Sequence, residues 1–300
     1  MAFWQTYLTP GSLAEALAAL REAPGPARLI AGGTDLLLDL QQGRHPPVDT
    51  LIDVSRVPEL RGVREEGESV FLGAAATHAE LLGNHQVTAH AACLWQACSL
   101  IGGPQVRNVA TLGGNVAHAL PAADAAIALV ALEASVELAT LAGRREVPIE
   151  AIFAGPGTVA FDRAETIVVG FRIKRRQAGE GSGFRRVMRP QGVAIAILNM
   201  GVWVRLEPGG GIAEARIAVG PGGPRPARAR SAERALVGQQ SDAIDPAPVV
   251  AALQAECRLR SSPHRATLEY RQRMLGVLLN RTLPAAIEDA RQAAESGGEA

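Results

Sequence analysis

The chain has 300 residues, of which 47% are hydrophobic, enough apolar material for two globular domains of ordinary size. Its 30 Lys and Arg residues balance its 30 Asp and Glu residues, which argues against a nucleic-acid partner because such partners need a concentrated basic face. The three cysteines, Cys93, Cys98 and Cys257, lack the spacing of a disulfide framework and fit a reducing compartment. No export signal and no run of about 18 apolar residues occurs, so we expect a cytoplasmic protein without membrane insertion.

The first part of the chain predicts a small lobe that ends in a glycine loop. A helix is expected over Leu13–Arg21 with Ser12 as its cap, followed by a short strand over Ala27–Ala31. The run Ala31-Gly-Gly-Thr34 then opens a short helix over Asp35–Gln42, with Thr34 as the N-cap candidate. Because glycine lacks a Cβ, such a loop lets an anion lie on its backbone amides.

The next segment predicts a hairpin and two helices. The hairpin covers Val63–Leu72, and Thr77 with Glu80 forms a capping box for the helix that follows. A helix over Val87–Ile101 carries His90, Cys93 and Cys98, but Cys98 is rotated about 140° from Cys93 at 100° per residue. These three side chains do not converge, so we predict no metal site in the chain.

A second glycine loop, Thr111-Leu-Gly-Gly-Asn115, precedes an apolar helix over Ala122–Ala134. Pro121 suits the first turn of that helix, and Asp124 is placed where the helix dipole favours a carboxylate. Gly113 and Gly114 again allow close approach of an anion. We therefore predict that two amide-lined loops hold the two ends of one diphosphate.

The remainder predicts a second domain of the α+β class. Strands at 134–140 and 165–173 lead to a charged, glycine-rich boundary over 174–183. Three β-type runs (184–188, 193–206, 212–219) and three helices (231–237, 246–257, 267–281) follow. The predicted domains are 1–176, with a small lobe of about 1–55 and a larger lobe of about 56–176, then 184–283 and a tail over 284–300. Motifs typical of P-loop enzymes, Rossmann dehydrogenases, zinc proteases and α/β-hydrolases do not occur.

The two glycine motifs, with Pro121-Ala-Ala-Asp124 after the second, resemble those of the FAD-binding medium subunit of molybdenum hydroxylases, the flavoproteins of the carbon monoxide dehydrogenase and xanthine dehydrogenase group. The resemblance runs from about Phe3 to about Leu283. It implies an α+β fold, in which a two-lobed, PCMH-like FAD-binding domain precedes a smaller domain with a three-stranded antiparallel sheet and helices. It also implies an oxidoreductase component that carries electrons.

The resemblance implies that this chain binds FAD non-covalently. It also implies that the molybdenum cofactor and the [2Fe-2S] clusters belong only to a large and a small partner subunit, and that the three subunits assemble as a dimer of heterotrimers. Electrons would leave through FAD to oxygen, NAD or a quinone. No residue is assigned as a general acid or base. The implied cofactor-binding residues are Leu29, Ile30, Ala31, Gly32, Gly33, Thr34, Asp35, Leu36, Thr77, Ile101, Gly102, Thr111, Gly113, Gly114, Asn115, His118, Ala123, Asp124, Ile167, Val168 and Arg185.

The sequence leaves open the roles of three residues and two alternative functions of the chain. His78 is either a polar surface group or a neighbour of the flavin, and Arg107 either forms a surface salt bridge or orients the second loop or faces a partner. Arg185 stands where the family has a basic residue that can stabilise negative charge on the reduced ring. Two other functions remain: a binding or assembly module without a working flavin, and a stand-alone flavin oxidoreductase with a covalent cofactor, although no His or Cys lies in the first loop for that link.

Overall fold

The computed structural model describes residues 3–189 and 195–297. The N-terminal small lobe is a three-stranded parallel sheet in the order β1-β3-β2. Its elements are β1 Thr6–Leu8, α1 Leu13–Glu22, β2 Ala27–Ile30, α2 Leu36–Gln41 and β3 Thr50–Asp53. The predicted cap is confirmed, because Ser12 Oγ accepts a hydrogen bond from the Glu15 amide at 3.2 Å. Leu13, Leu17 and Leu20 on one face of α1 pack against Ile52 of β3.

The larger lobe is built on a five-stranded antiparallel sheet in the order β4-β5-β10-β6-β7. Its strands are β4 Val63–Glu66, β5 Ser69–Gly73, β6 Ser135–Thr140, β7 Gly143–Pro148, β8 Phe153–Gly155, β9 Thr158–Val159 and β10 Ile167–Lys174, of which β8 and β9 pair separately. Its helices are α3 His78–Leu82, α4 His85–His90, α5 Ala92–Leu100, α6 Pro104–Arg107, α7 Leu112–Ala117 and α8 Asp124–Ala131. Every residue of α8 is buried, so this helix forms the centre of the lobe.

Two helical predictions in this lobe need correction. The single helix expected over 87–101 is two helices, because Ala91 leaves helical geometry at φ −144° and ψ 53°. The apolar helix begins at Asp124 rather than at Ala122, so Pro121 lies in the preceding turn. The hairpin and the Thr77–Glu80 capping box are confirmed, with the Glu80 amide 3.1 Å from Thr77 Oγ1.

The C-terminal domain is a four-stranded antiparallel sheet, β11 to β14, covered by helices. Its elements are β11 Glu180–Val187, β12 Leu198–Leu206, β13 Ile212–Gly220, β14 Ala227–Arg228, α9 Arg230–Leu236, α10 Pro246–Glu256 and α11 Leu268–Gly297. The three long strands are those predicted, with a two-residue fourth strand at the edge. Part of the second predicted run, Val193–Ala194, lies outside the described residues.

Part of the glycine-rich boundary and the described part of the predicted tail are regular structure. Gly181 and Gly183 belong to β11, where a Cβ on Gly181 would lie 2.1 Å from the backbone nitrogen of Ala290. The glycines let α11 lie directly on this strand. The prediction of a tail from residue 284 is wrong in the described part, because α11 continues through Pro284 to Gly297 and buries Ala286, Ile287 and Ala290.

Candidate cofactor site

The first glycine loop packs against the residues just before the second loop, where the small lobe contacts the larger one. A Cβ on Gly32 would lie 2.0 Å from the carbonyl oxygen of Val109 and 2.8 Å from the Cα of Ala110. Ala110 directly precedes the second loop. Only glycine permits this approach at position 32.

The first loop presents backbone amides that are not used by the protein. Among the described residues, the N–H groups of Gly32, Gly33, Thr34 and Asp35 have no hydrogen-bond acceptor. Gly33 takes φ +66°, which turns the chain into α2. Thr34 is not the helix cap as predicted, because Asp35 occupies that position and makes no side-chain cap bond. Consecutive unpaired amides at a helix start favour an anion.

The second loop differs, because its amides are already engaged. Thr111 lies opposite Thr77 in an isolated antiparallel bridge, and Thr111 Oγ1 caps α7 by accepting from the Gly114 amide at 3.1 Å. The Gly113 amide donates to the carbonyl of Ala74 at 2.8 Å. The prediction that both loops are lined by free amides is therefore wrong for this one. A Cβ on Gly113 would lie 2.7 Å from Ala74, so this glycine serves close packing.

Gly114 and Asn115 form the accessible part of the second loop. Gly114 is exposed, and a Cβ there would approach only Thr111 Oγ1, at 3.1 Å. Asn115 is half-buried, and its Oδ1 accepts from the Ala126 amide in the first turn of α8 at 3.3 Å. The second loop thus offers open space at Gly114 and a short polar side chain at Asn115.

Asp124 is buried and paired across the domain boundary. One carboxylate oxygen binds Nη1 of Arg186 on β11, and the other accepts from Asn199 Nδ2 on β12 at 2.6 Å. Burial raises the pKa of the Asp124 carboxyl, which the Arg186 and Asn199 interactions oppose. Each oxygen retains acceptor capacity beyond these bonds. Arg186 Nε and Asn199 Oδ1 are buried and have no hydrogen-bond partner.

The other residues implied by the resemblance have varied surroundings. Arg185 Nη1 donates to Gln96 Oε1 at 2.8 Å and to the Phe184 carbonyl, so part of its guanidinium is held against α5. Ile167 and Val168 are buried in the cores of the two lobes. Half-buried positions are Leu29, Ala31, Leu36, Thr77, Ile101, Gly102, His118 and Ala123, while Ile30 is buried and Asp35 exposed.

His78 is buried rather than a surface group. It is 1% exposed, and its Nδ1 lies 3.4 Å from Cys98 Sγ beneath the bridge between Thr77 and Thr111. Burial, aided by the charge of Arg107, lowers the pKa of His78 to about 4. The imidazole is therefore neutral near pH 7.

Arg107 orients the chain before the second loop. Its Nη1 donates to the carbonyls of Ser99, Ile101 and Gly102, at 3.3, 3.2 and 2.8 Å, and so closes the C-terminal end of α5. Within the described residues it forms no ion pair, so the interpretation as a surface salt bridge is wrong.

Sequence reasoning missed Asn199 and Arg163. Arg163 Nη2 donates to the carbonyl of Ala117, the last residue of α7, at 2.7 Å. Both contacts join positions at least 46 residues apart, and no local pattern marks such pairs.

A cavity of about 550 Å³ lies away from the glycine loops, beside Glu133, Glu150 and Arg230, and the two carboxylates are already paired with arginines.

Within residues 3–189 and 195–297, no group of three or more His, Cys, Asp or Glu side chains is arranged to hold a metal ion. None of the helices in the same ranges combines the length and the apolar character needed to cross a bilayer.

The sequence matches a family model described as the FAD binding domain in molybdopterin dehydrogenase over residues 2–173, more than half of the chain. The chain belongs to this family. A second model, the carbon monoxide dehydrogenase flavoprotein C-terminal domain, matches residues 182–286 of this FAD-binding family member. The resemblance, the two-part α+β fold, FAD as the cofactor and an oxidoreductase component are thereby confirmed.

Relatives of this FAD-binding family member are nearly as long as the chain itself. The chain is 33% identical over 282 residues to the carbon monoxide dehydrogenase medium chain of Hydrogenophaga pseudoflava, covering 93% of this chain and 96% of the relative. It is 32% identical over 230 residues to a xanthine dehydrogenase FAD-binding subunit of Escherichia coli O157:H7, covering 76% and 78%. A solved carbon monoxide dehydrogenase from H. pseudoflava superposes with a TM-score of 0.88 at 32% identity, covering 95% of this chain and 98% of that one.

Proposed function

We propose that this chain binds one FAD non-covalently, with the diphosphate at the junction of the two glycine loops, and that it passes electrons from molybdenum and [2Fe-2S] partner subunits to an external acceptor. The observation that carries the proposal is the packing of Gly32 on Val109. That packing holds the first loop, whose amides are free, against the segment that leads into the second loop. The residues fit a dinucleotide, since they supply donors for phosphate and space for its approach.

The first loop would hold phosphate oxygens through main-chain donors. The N–H groups of Gly32, Gly33, Thr34 and Asp35 are available for hydrogen bonds to an anion, which are stronger than bonds to a neutral acceptor. Their geometry is fixed by the left-handed Gly33 and by the first turn of α2. These amides are therefore already placed before the cofactor binds.

The second loop would contact the same diphosphate from the opposite side. The hydroxyl oxygen of Thr111 is engaged in the helix cap and Asn115 Oδ1 accepts from the Ala126 amide, while the exposed Gly114 has open space beside it. Asp124 would accept from cofactor hydroxyls with its remaining lone pairs, while Arg186 and Asn199 hold it in place. Further members of the proposed set are Leu29, Ile30, Ala31, Leu36, Thr77, Ile101, Gly102, Gly113, His118, Ala123, Ile167, Val168 and Arg185.

When bound, the flavin supplies the redox chemistry, and the protein supplies position and electrostatics. Arg185 would place positive charge near the ring, with its Nη1 orientation set by Gln96. No side chain of this chain is assigned to proton transfer. His78, neutral near pH 7 and buried below the second loop, supports the loop without adding charge.

The names of two relatives support the proposed partner subunits. One relative is a medium chain and another is named as a subunit of a dehydrogenase complex. We expect a large molybdenum subunit and a small [2Fe-2S] subunit, assembled as a dimer of heterotrimers in the cytoplasm. Co-purification of the tagged chain from its source under mild salt, with masses determined for the intact assembly, tests this composition. A chain that purifies only by itself under these conditions contradicts it.

The placement of FAD is tested with Gly114→Val. A Cβ at this exposed position approaches only Thr111 Oγ1, so the variant should fold, but its side chain would occupy the proposed cofactor space. We expect the absorbance bands near about 370 and 450 nm to be lost while the circular dichroism spectrum is retained. Gly209→Val is the matched control, because Gly209 is exposed and a Cβ there has no neighbour within 4 Å. Stoichiometric flavin in Gly114→Val would refute the placement.

A further inference from the structure

An arginine-rich surface lies where the connection between β11 and β12 meets the connection between α10 and α11. Two hydrogen bonds join these connections. Arg189 Nη2 donates to the carbonyl of His264, and Arg271 Nη1 donates to the carbonyl of Ile197 at 2.6 Å. The exposed side chains of this arginine surface are Met188, Arg189, Ile195, Arg260, Arg265 and Tyr270.

The connection between α10 and α11 is folded against the first turn of α11. Ser261 Oγ accepts from the Leu268 amide at 2.9 Å, so Arg260, which precedes Ser261, lies beside the start of this helix. Arg271 is in the next turn and is 3% exposed. Burial lowers the pKa of Arg271, and the charges of Arg265 and Arg260 lower it further, in agreement with this placement.

The positive charge of the surface is not neutralised within the described part of the chain. Four arginines of the surface and its base make no ion pair with a carboxylate there: Arg189, Arg260, Arg265 and Arg271. Residues 258–271 contain four arginines and one carboxylate, Glu269, although Lys and Arg equal Asp and Glu in the whole chain. The surface therefore carries a local excess of positive charge.

The arginine surface adjoins the buried carboxylate of the proposed cofactor site. One terminal nitrogen of Arg186 binds Asp124, and the other donates to Met188 Sδ at 3.1 Å. Met188 is 36% exposed at the edge of the surface, whereas Asp124 is 6% exposed. A single guanidinium thus separates the surface from Asp124.

The composition of the surface is typical of a protein–protein interface. Arg, Tyr and Met are enriched in such interfaces, and here Tyr270 and Ile195 are 41% and 56% exposed among the arginines. Small ligands need a concave site, but the cavities of about 550 and 240 Å³ are lined by other residues. A symmetric contact of the surface with itself would oppose like charges, so the surface fits an acidic protein.

The mixture of charged and apolar side chains suits a partner that binds and then leaves. Permanent subunit interfaces are more hydrophobic, whereas charge accelerates diffusional encounter between proteins that associate briefly. An external electron acceptor has to dissociate after each transfer. This requirement favours such an acceptor over a permanent subunit as the occupant of the surface.

We infer that the arginine surface docks an acidic redox protein as the external electron acceptor, an inference that rests on the proposed FAD function. Carboxylates of the acceptor would pair with Arg260 and Arg265, whose planar guanidiniums bind carboxylates in a bidentate manner. Tyr270 and Ile195 would supply the apolar contact. Two electrons leave the reduced flavin for two oxidised one-electron centres of the acceptor, and the two protons of the flavin pass to water.

The first arm of the test measures docking independently of the flavin. Acidic plastocyanin is the probe, and its Kd for the full-length chain is measured at low ionic strength. The double variant Arg260→Gln/Arg265→Gln should raise Kd by about tenfold, because two exposed charges are lost. Arg205→Gln is the control, since it removes an exposed arginine at the far end of β12 and should leave Kd unchanged. Equal Kd values for the double variant and the control overturn the inference.

The second arm measures electron transfer from the chain with its flavin reduced under anaerobic conditions. The second-order rate constant with oxidised plastocyanin should fall as salt rises, and should be about tenfold lower in Arg260→Gln/Arg265→Gln than in Arg205→Gln at low salt. With basic cytochrome c the rate constant should instead rise with salt. A plastocyanin rate that depends neither on salt nor on the two arginines overturns the inference.

Two further outcomes separate the alternatives. Anionic phospholipid vesicles that bind the chain through Arg260 and Arg265 while plastocyanin does not would assign the surface to a membrane and overturn the inference. A wild-type chain that contains no FAD and cannot be reconstituted with it removes the proposed function. The plastocyanin Kd values then still decide whether the surface docks an acidic protein.

Discussion

Gly32 and Val109 touch backbone to backbone, with no room for a Cβ between the Gly32 Cα and the Val109 carbonyl. The contact joins the small lobe to the segment that leads into the second glycine loop. The contact also lies at the start of residues 32–35, whose backbone amides have no acceptor within the described structure. The packing of the two lobes and the proposed cofactor site therefore share this close approach.

Replacing Gly32 by Ala should separate the two lobes locally. The new methyl group would lie 2.0 Å from the Val109 oxygen, and because both neighbours are backbone the strain must be relieved by movement of the loop. We expect a loss of about 2 kcal/mol in unfolding free energy and weaker FAD binding. Urea denaturation and FAD titration measure the two effects. Gly209→Ala, which meets no neighbouring atom, should match the wild type, and Gly32→Ala with wild-type stability would show that the lobes do not pack as described.

Glu133 offers a test of backbone strain. It has φ +54° at the end of α8, where the Ala134 amide bonds to the Leu129 carbonyl and glycine is the favoured residue. Its carboxylate binds Arg216 and Arg228. Glu133→Gly and Glu133→Ala both remove this carboxylate, but only alanine retains the left-handed strain. We expect Glu133→Gly to be more stable than Glu133→Ala by about 1 kcal/mol, measured by urea unfolding. The reverse order would contradict the left-handed assignment.

His78 should make stability depend on pH. Its folded pKa of about 4 lies below the ordinary 6.5, so the unfolded state binds the proton more tightly. The stability contributed by the neutral ring is present above pH 6.5 and is lost as pH falls towards 4. Between pH 7 and 4.5 the unfolding free energy of wild type relative to His78→Phe should drop by about 2 kcal/mol. A difference that does not vary with pH would indicate an accessible, ordinary histidine.

Asp289 should stabilise the packing of α11 against β11, in a segment that the sequence predicted to be a tail. Its carboxylate binds Arg176 and accepts from the Ser182 amide at 2.8 Å, in a site where its side chain is 16% exposed. Asp289→Ala leaves a half-buried cation and the Ser182 amide without their partner, so we expect a loss of about 2 kcal/mol in chemical denaturation. Glu295→Ala, at an exposed position of the same helix, is the control and should change little.

Local features of the fold were predictable because their causes lie within a few residues. The caps at Ser12 and Thr77 follow from hydroxyl side chains three positions before Glu15 and Glu80. The glycine loops were recognisable because glycine pairs before an apolar run have few other uses. The failure at Thr34 has a clear reason: its side chain suits a cap, but the cap site is one residue later at Asp35.

Features that depend on distant segments were not predictable. Gly181 and Gly183 looked like a flexible boundary, yet their lack of side chains is required by a helix that lies about a hundred residues further along the chain. The amides of the second loop seemed free until the structure placed Ala74 and Thr111 beside them.

The outer edge of β11 is closed by side chains from both domains. Gln96 of α5 accepts from the Phe184 amide at 2.7 Å, and Asp289 of α11 accepts from the Ser182 amide. Neither domain covers this edge alone. A C-terminal fragment produced without residues 3–173 would therefore expose a strand able to pair with another molecule, and we expect such a fragment to aggregate where the intact chain does not.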